Sequence, residues 1–161
     1  MTNARRPNLP FGWATFCDDI RDEVGGKQTF VGIYSDLALF SGVSFPVTVP
    51  KLCVSILYFE DTENLPETLT FSVYLPGEDE DQPARFSTTL NLKDGTFPVP
   101  SRGDTLVAIK PQFVLSPLTI NAEGRIKVRV NRDDDTIKLG SLLMKADGSK
   151  NNESENNPSA A

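Results

Sequence analysis

The sequence predicts an all-β protein, an antiparallel β-sandwich of about eight strands, Ig-like or C2-like in layout, with a barrel as the alternative closure. Three observations carry this. Apolar and polar residues alternate with period two over several stretches, as a sheet with one buried face requires, because successive side chains point to opposite sides. The three-and-four apolar spacing of an amphipathic helix is nearly missing. Turn-forming residues punctuate the alternating stretches: Gly25-Gly26, Ser41-Gly42, Pro76-Gly77, Asp94-Gly95 and the NAEG segment at 121–124.

The first two strands are read at 13–20 and 27–35, joined across the double glycine. The third, at 51–60, differs from the rest: Leu52, Val54, Ile56 and Tyr58 face one way and Cys53, Leu57 and Phe59 the other. A strand apolar on both sides is one covered on both faces, hence central. At 68–75, Leu69, Phe71, Val73 and Leu75 alternate with Thr68, Thr70, Ser72 and Tyr74. At 84–93, Phe86, Thr88, Leu90 and Leu92 oppose Arg85, Ser87, Thr89, Asn91 and Lys93. A strand at 105–110 is ended by Pro111, which cannot donate to a ladder. At 124–132, Ile126, Val128 and Val130 oppose Arg125, Lys127, Arg129 and Asn131, and a last strand lies at 136–144.

A chain of 161 residues with 39% apolar composition and ten phenylalanines suits one domain, placed at 13–145. Residues 1–12 form an N-terminal arm broken by Pro7 and Pro10. Residues 146–161 are expected to be a disordered tail, because DGSKNNESENNPSAA holds no large apolar side chain to offset its ordering entropy.

A net charge of −6 argues against nucleic acid and anionic lipid as partners. No apolar run approaches the roughly 20 residues of a membrane span, and the prolines of the arm interrupt any secretory apolar region, so a cytoplasmic location is expected. The chain has no histidine, which removes the Ser-His-Asp triad, the Cys-His pair and imidazole metal clusters. It has neither a phosphate-binding loop nor a dinucleotide fingerprint. No enzyme, cofactor or small-molecule substrate is therefore expected. Cys17 and Cys53 stand in apolar or β-branched surroundings without ligand spacing, and read as small buried thiols.

Charge is clustered. Acidic groups gather at Asp18, Asp19, Asp22 and Glu23, at Glu78 to Asp81, and at Asp133 to Asp135. Calcium takes 6 to 8 oxygen ligands, so loops converging at one end of a sandwich could bind it, which makes a calcium-dependent binding domain the alternative function. Solvated loops are the commoner fate of such runs. Arg125, Lys127 and Arg129, with Arg132 and Lys138 nearby, form a cationic stripe on the solvent face of one hairpin. It suits an anionic partner, an acidic loop of a second copy, or simply a hydrated face that discourages edge pairing.

The hairpin FCDDIRDEVGGKQTFVGIY is the most specified stretch. Alternation from Ala14 and Phe16 puts Asp18 on the apolar face with Ile20, and Asp19, Arg21 and Glu23 in water. A carboxylate so placed needs backbone N–H donors or a pairing with Arg21 or Lys27. Gly25 and Gly26 supply the positive φ of the turn, and Lys27 opens the returning strand. Asp18, Arg21, Glu23, Gly25, Gly26 and Lys27 are thus read as a structural hairpin with no catalytic or metal role.

The pattern Cys17-Asp18-Asp19, Arg21, Glu23, Gly26-Lys27, Gly32 and Tyr34, followed by Phe45-Pro46 and Pro50-Lys51-Leu52, resembles a family of uncharacterised bacterial and phage β-domain proteins. The resemblance covers about a third of the chain and implies a small β-domain of that origin, with no catalytic residue. The resulting expectation is a non-catalytic interaction or structural module with a protein partner or self-association. Its specificity is expected in the loops at 36–50 and 76–83.

Overall fold

The computed structural model describes residues 8–93, 103 and 105–148. Among these, twelve strands form: β1 (Phe11–Glu23), β2 (Lys27–Tyr34), β3 (Leu37–Ser41), β4 (Val47–Val49), β5 (Leu52–Asp61), β6 (Thr68–Tyr74), β7 (Phe86–Asn91), β8 (Leu106–Ile109), β9 (Gln112–Leu115), β10 (Leu118–Ile120), β11 (Gly124–Arg132) and β12 (Asp135–Asp147). The helical content is one 3₁₀ turn, Thr62–Asn64, capped by Asp61, whose Oδ1 accepts from the Glu63 N–H at 2.9 Å.

One sheet runs β2-β1-β5, with β8 and β9 both paired to the far side of β5. The other runs β3-β12-β11-β6-β7, and β4 pairs with β10 in a small ribbon. Pairing is antiparallel except between β3 and β12, which run parallel. Both large sheets end in edge strands, so the barrel alternative does not hold. All-β character is legible in the sequence; the strand number is not. Four short strands of three to five residues, β3, β4, β9 and β10, fall where loops or no strands are expected. They are too short for period-two alternation to register. The 36–50 segment, expected as a loop, holds two of them. The expected tail boundary at 146 also falls inside a strand, because Ala146 and Asp147 pair with Phe40 and Ser41 of β3. Gly148 is the last described residue, and residues 149–161 of that tail lie outside the described residues.

The two large sheets face each other across one core. Phe16, Leu52, Val54, Ile56 and Tyr58 of the first meet Leu69, Phe71, Val73, Ile126, Val128, Val130 and Leu142 of the second. Tyr58 and Phe71 pack edge to face with ring centroids 5.6 Å apart. Each buried large side chain contributes about 1.5–3 kcal/mol by removal from water.

One end of this core is closed by charge. Glu60, the next inward position of β5 after Tyr58, is fully buried. Its Oε1 accepts from the Tyr58 hydroxyl and from Arg132 Nε, both at 2.8 Å, and Arg132 also donates to the Asn64 carbonyl. Oε2 finds no partner among the described residues. Arg132, expected beside the cationic stripe, is therefore corrected to the inner face. It sits at an even position of β11, with Ile126, Val128 and Val130.

Taking one partner from a buried ion pair leaves an uncompensated charge, whereas replacing both with apolar groups need not be destabilising. Arg132→Met is expected to cost about 3–5 kcal/mol, and Glu60→Leu combined with Arg132→Met to recover most of it, read as midpoints in urea unfolding. Additive losses in the double variant would refute this account.

Candidate functional site

Three structured regions stand outside the core. The first is the β1–β2 hairpin. β1 pairs with β5 only as far as Cys17 opposite Cys53, then continues with β2 alone to Glu23 opposite Lys27. The free half folds back over the outer face of the first sheet. The Asp18 carbonyl comes to 3.8 Å from Cys53 Sγ, and Gln28 near the tip accepts from Gln112 Nε2 of β9 at 2.9 Å. Cys17 and Cys53 lie beneath this flap, buried and free, outside the main core. Burial pushes the Cys17 thiol up to about 11 and raises Cys53 as well, which keeps both protonated and poorly nucleophilic.

The bend occurs where Asp18 lies opposite Gly32, between the Cys17–Ile33 and Asp19–Val31 pairs. Gly32 has φ +66°, and a Cβ there would fall inside the Asp18 carboxylate. The Tyr34 hydroxyl donates to Asp18 Oδ1 at 2.6 Å. Asp18 is exposed, which corrects the expectation of an inward carboxylate held by backbone donors, Arg21 or Lys27. Alternation itself persists, but Phe16 is the last residue of that face with core beneath it, so Asp18 meets water and Tyr34. The ion pairs go to Asp19 instead, whose Oδ1 meets Lys51 Nζ at 2.6 Å and Oδ2 meets Arg21 Nε at 3.1 Å. These bonds hold the Asp19 carboxyl below its usual range. Asp22 accepts from Gln28 at 2.8 Å. Gly25 and Gly26 form the tip with φ +84° and +72°, and Glu23 and Lys27 flank it in register.

The second region joins the acidic loop to the cationic stripe. Glu78 Oε2 accepts from the Leu75 N–H at 2.8 Å and so closes the turn at Pro76-Gly77. That turn delivers Glu80 onto β11, where Oε2 takes Arg129 Nε at 2.6 Å and Oε1 takes Lys127 Nζ at 2.8 Å. The loop is clasped to its own sheet. Hydrogen bonds from Arg129 and then Lys127 hold the Glu80 carboxyl at about 2. Asp133, Asp134 and Asp135 turn the β11–β12 hairpin, with Asp133 at φ +52°. Among the described residues no three carboxylates or thiols are placed to hold a metal ion.

The third region was not signalled by sequence. On one side of the molecule both sheets end without a further strand among the described residues, at β7 and at β8–β9. Between these edges runs a groove of about 620 Å³ whose apolar lining includes Leu90, Ile109, Pro111 and Phe113, with Lys110 also lining it. It continues into a hollow of about 460 Å³ that shares Ser87, Gln112 and Phe113. Only the pairing of strands far apart in sequence creates it.

Fold and surface together define an all-β protein built of mostly antiparallel sheets, with no helix long and apolar enough to cross a membrane among the described residues. The chain belongs to the family described as "Family of unknown function (DUF6941)", whose model matches residues 12–144. No curated protein and no solved structure matches it.

Two outcomes follow from these geometries. Burial and the Asp18 carboxylate raise the Tyr34 phenol to about 12. A folded-state pKa raised above the ordinary value near 10 gives stabilisation that is full below pH 10 and lost as pH rises toward 12. The stability difference between wild type and Tyr34→Phe should shrink across that window; a flat difference would place the hydroxyl in free water. Glu80 has the opposite sign. Its folded pKa lies below the unfolded value near 4.5, so its contribution is present above about 4.5 and fades as pH falls toward 2. Glu80→Gln should cost about 1–3 kcal/mol at pH 7, since Arg129 is left buried and unpaired, and much less at pH 2.5 by denaturant titration.

Proposed function

We propose that the protein is a non-catalytic interaction module of bacterial or phage origin that takes up an extended segment of a partner protein along the β7 edge. The observation that carries this is the half-buried state of Phe86, Thr88 and Leu90. These are the inward side chains of β7, and in a closed two-sheet core they would be covered. A strand laid beside β7, which has no further strand on that side among the described residues, would cover them, using edge N–H and C=O groups for affinity and the groove for alternate side chains. The apolar lining asks for apolar residues at every second position. Lys110, which has no carboxylate partner among the described residues, asks for an acidic one. A binding role suits the groove better than catalysis, because its polar groups are hydroxyls, amides and one lysine, and the chain has no histidine to activate a hydroxyl.

Selection of displayed heptapeptides against the full chain is expected to enrich alternating apolar sequences carrying a carboxylate. Thr88→Arg, which fills the groove, should weaken the enriched peptides at least tenfold in fluorescence anisotropy, and Lys110→Glu should reverse the preference for acid. Enrichment with no period-two pattern, or binding indifferent to Thr88→Arg in a variant that melts like wild type, would overturn the proposal.

A further inference from the structure

We propose a second, independent binding site: a phosphate-group site on the outer face of the second sheet, between β11 and β12. The argument starts from register. Lys127 stands opposite Ser141, and Arg129 stands directly opposite Lys138, with a bulge between them that leaves Leu139 as an extra residue before Gly140. Two cations directly opposite each other on one sheet face repel, and a sheet does not normally place them so. The bulge opens the β12 side of this pair into a hollow of about 200 Å³, lined by Arg125, Lys127, Arg129, Lys138, Gly140 and Ser141. No acidic residue lines it.

The opposite flank shows what these cations accept. There Glu80 brings one carboxylate between Lys127 Nζ and Arg129 Nε at 2.8 and 2.6 Å. That single carboxylate meets two of the four cations that line the hollow. On the hollow's side neither Arg125 nor Lys138 has a carboxylate partner among the described residues, and Arg125 Nη1 reaches across to Ser141 Oγ at 3.2 Å. With Lys127 and Arg129 turned to Glu80, the Lys138 ammonium, the Arg125 guanidinium and the Ser141 hydroxyl are the donor groups left to this hollow. A dianionic tetrahedral phosphate fits this arrangement of charge and donors better than a planar monoanion. The volume leaves room for a small substituent, so the ligand class is inorganic phosphate or a small soluble phosphomonoester.

The test uses the full chain with inorganic phosphate and glycerol 3-phosphate as probes, against chloride at matched ionic strength, because salt alone also screens the Arg129–Lys138 repulsion. Phosphate should raise the melting temperature beyond chloride and shift the amide resonances of Gly140 and Ser141 saturably. Lys138→Ala and Arg125→Ala, both at exposed positions, should each weaken binding about tenfold, while Lys138→Ala without ligand melts no lower than wild type. Tighter binding of glycerol 3-phosphate than of phosphate would assign the ester, and the reverse the free ion. Equal effects of phosphate and chloride, or binding unchanged by Lys138→Ala, would overturn the site.

Discussion

Strand β5 is covered on both faces, and most of the architecture follows from that requirement. Its inward residues Leu52, Val54, Ile56 and Tyr58 need a second sheet, which β6, β11 and β12 supply. Its outward residues Cys53, Leu57 and Phe59 also need cover, and no third sheet lies over them among the described residues. The chain meets this with β1 itself. At one end Phe11 stacks on Phe59 at 5.0 Å, beside Trp13. At the other, the β1–β2 hairpin outruns the sheet and folds back over the cysteines. Such a reversal needs a backbone conformation that L-residues avoid, and Gly32 provides it. The space of its missing side chain is taken by the Asp18 carboxylate, which Tyr34 holds. Small thiols suit the position beneath, since a flap lying this close leaves no room for a larger outward side chain.

Charge is organised by the same economy of space. The chain is acidic overall, yet its two least exposed cations among the described residues, Arg129 and Arg132, lie against Glu80 and Glu60 respectively, with the exposed Asp133 a further 3.5 Å partner of Arg132. Desolvating a guanidinium costs several kcal/mol unless a partner is fixed nearby. The two pairs are fixed differently. Glu60 is placed by its own strand, as the final inward residue of β5, and so closes the core from within. Glu80 is delivered by a loop whose turn depends on Glu78, and that loop packs against only one flank of β11. The asymmetry leaves Lys138 and Arg125 on the other flank without a carboxylate partner among the described residues.

Much of this was legible in sequence, and the failures have physical causes. Long alternating stretches such as 68–75 and 124–132 identified strands because one buried face repeats over seven residues or more. The double-sided pattern at 51–60 identified the central strand, since covering both faces removes the polar residues from each. The surroundings of Asp18 are not legible, because alternation tells which side a residue points to, and not where the neighbouring sheet stops. The Glu80 clasp was invisible because it joins residues 47 and 49 positions apart, and a run of four acids gives no sign of which one reaches a partner. The groove is illegible for a stronger reason: it is the space between two edges whose adjacency only the tertiary fold creates.

The edges themselves are not equivalent, and the difference bears on how a partner strand would sit. An exposed edge templates further pairing unless something interrupts it. On the β8–β9 side the interruption is Lys110-Pro111, where the edge breaks into two strands of four residues and proline offers no N–H. The Pro111 carbonyl is also spent, accepting from the Ile56 N–H at 3.0 Å. β7 has no such break. Its six residues run FSTTLN, with Ser87 and Thr89 outward, and it is held from one side by β6 through pairs from Thr68–Asn91 to Val73–Phe86. Among the described residues the backbone of the β7 edge is therefore continuous and that of the edge opposite discontinuous. An incoming segment would gain its ladder from β7 and use β8–β9 as a wall, with Phe113 and Pro111 receiving its inward side chains. The sheet that ends at β7 would grow by one strand, and the core between the two sheets would close on the side where Phe86, Thr88 and Leu90 now stand half open.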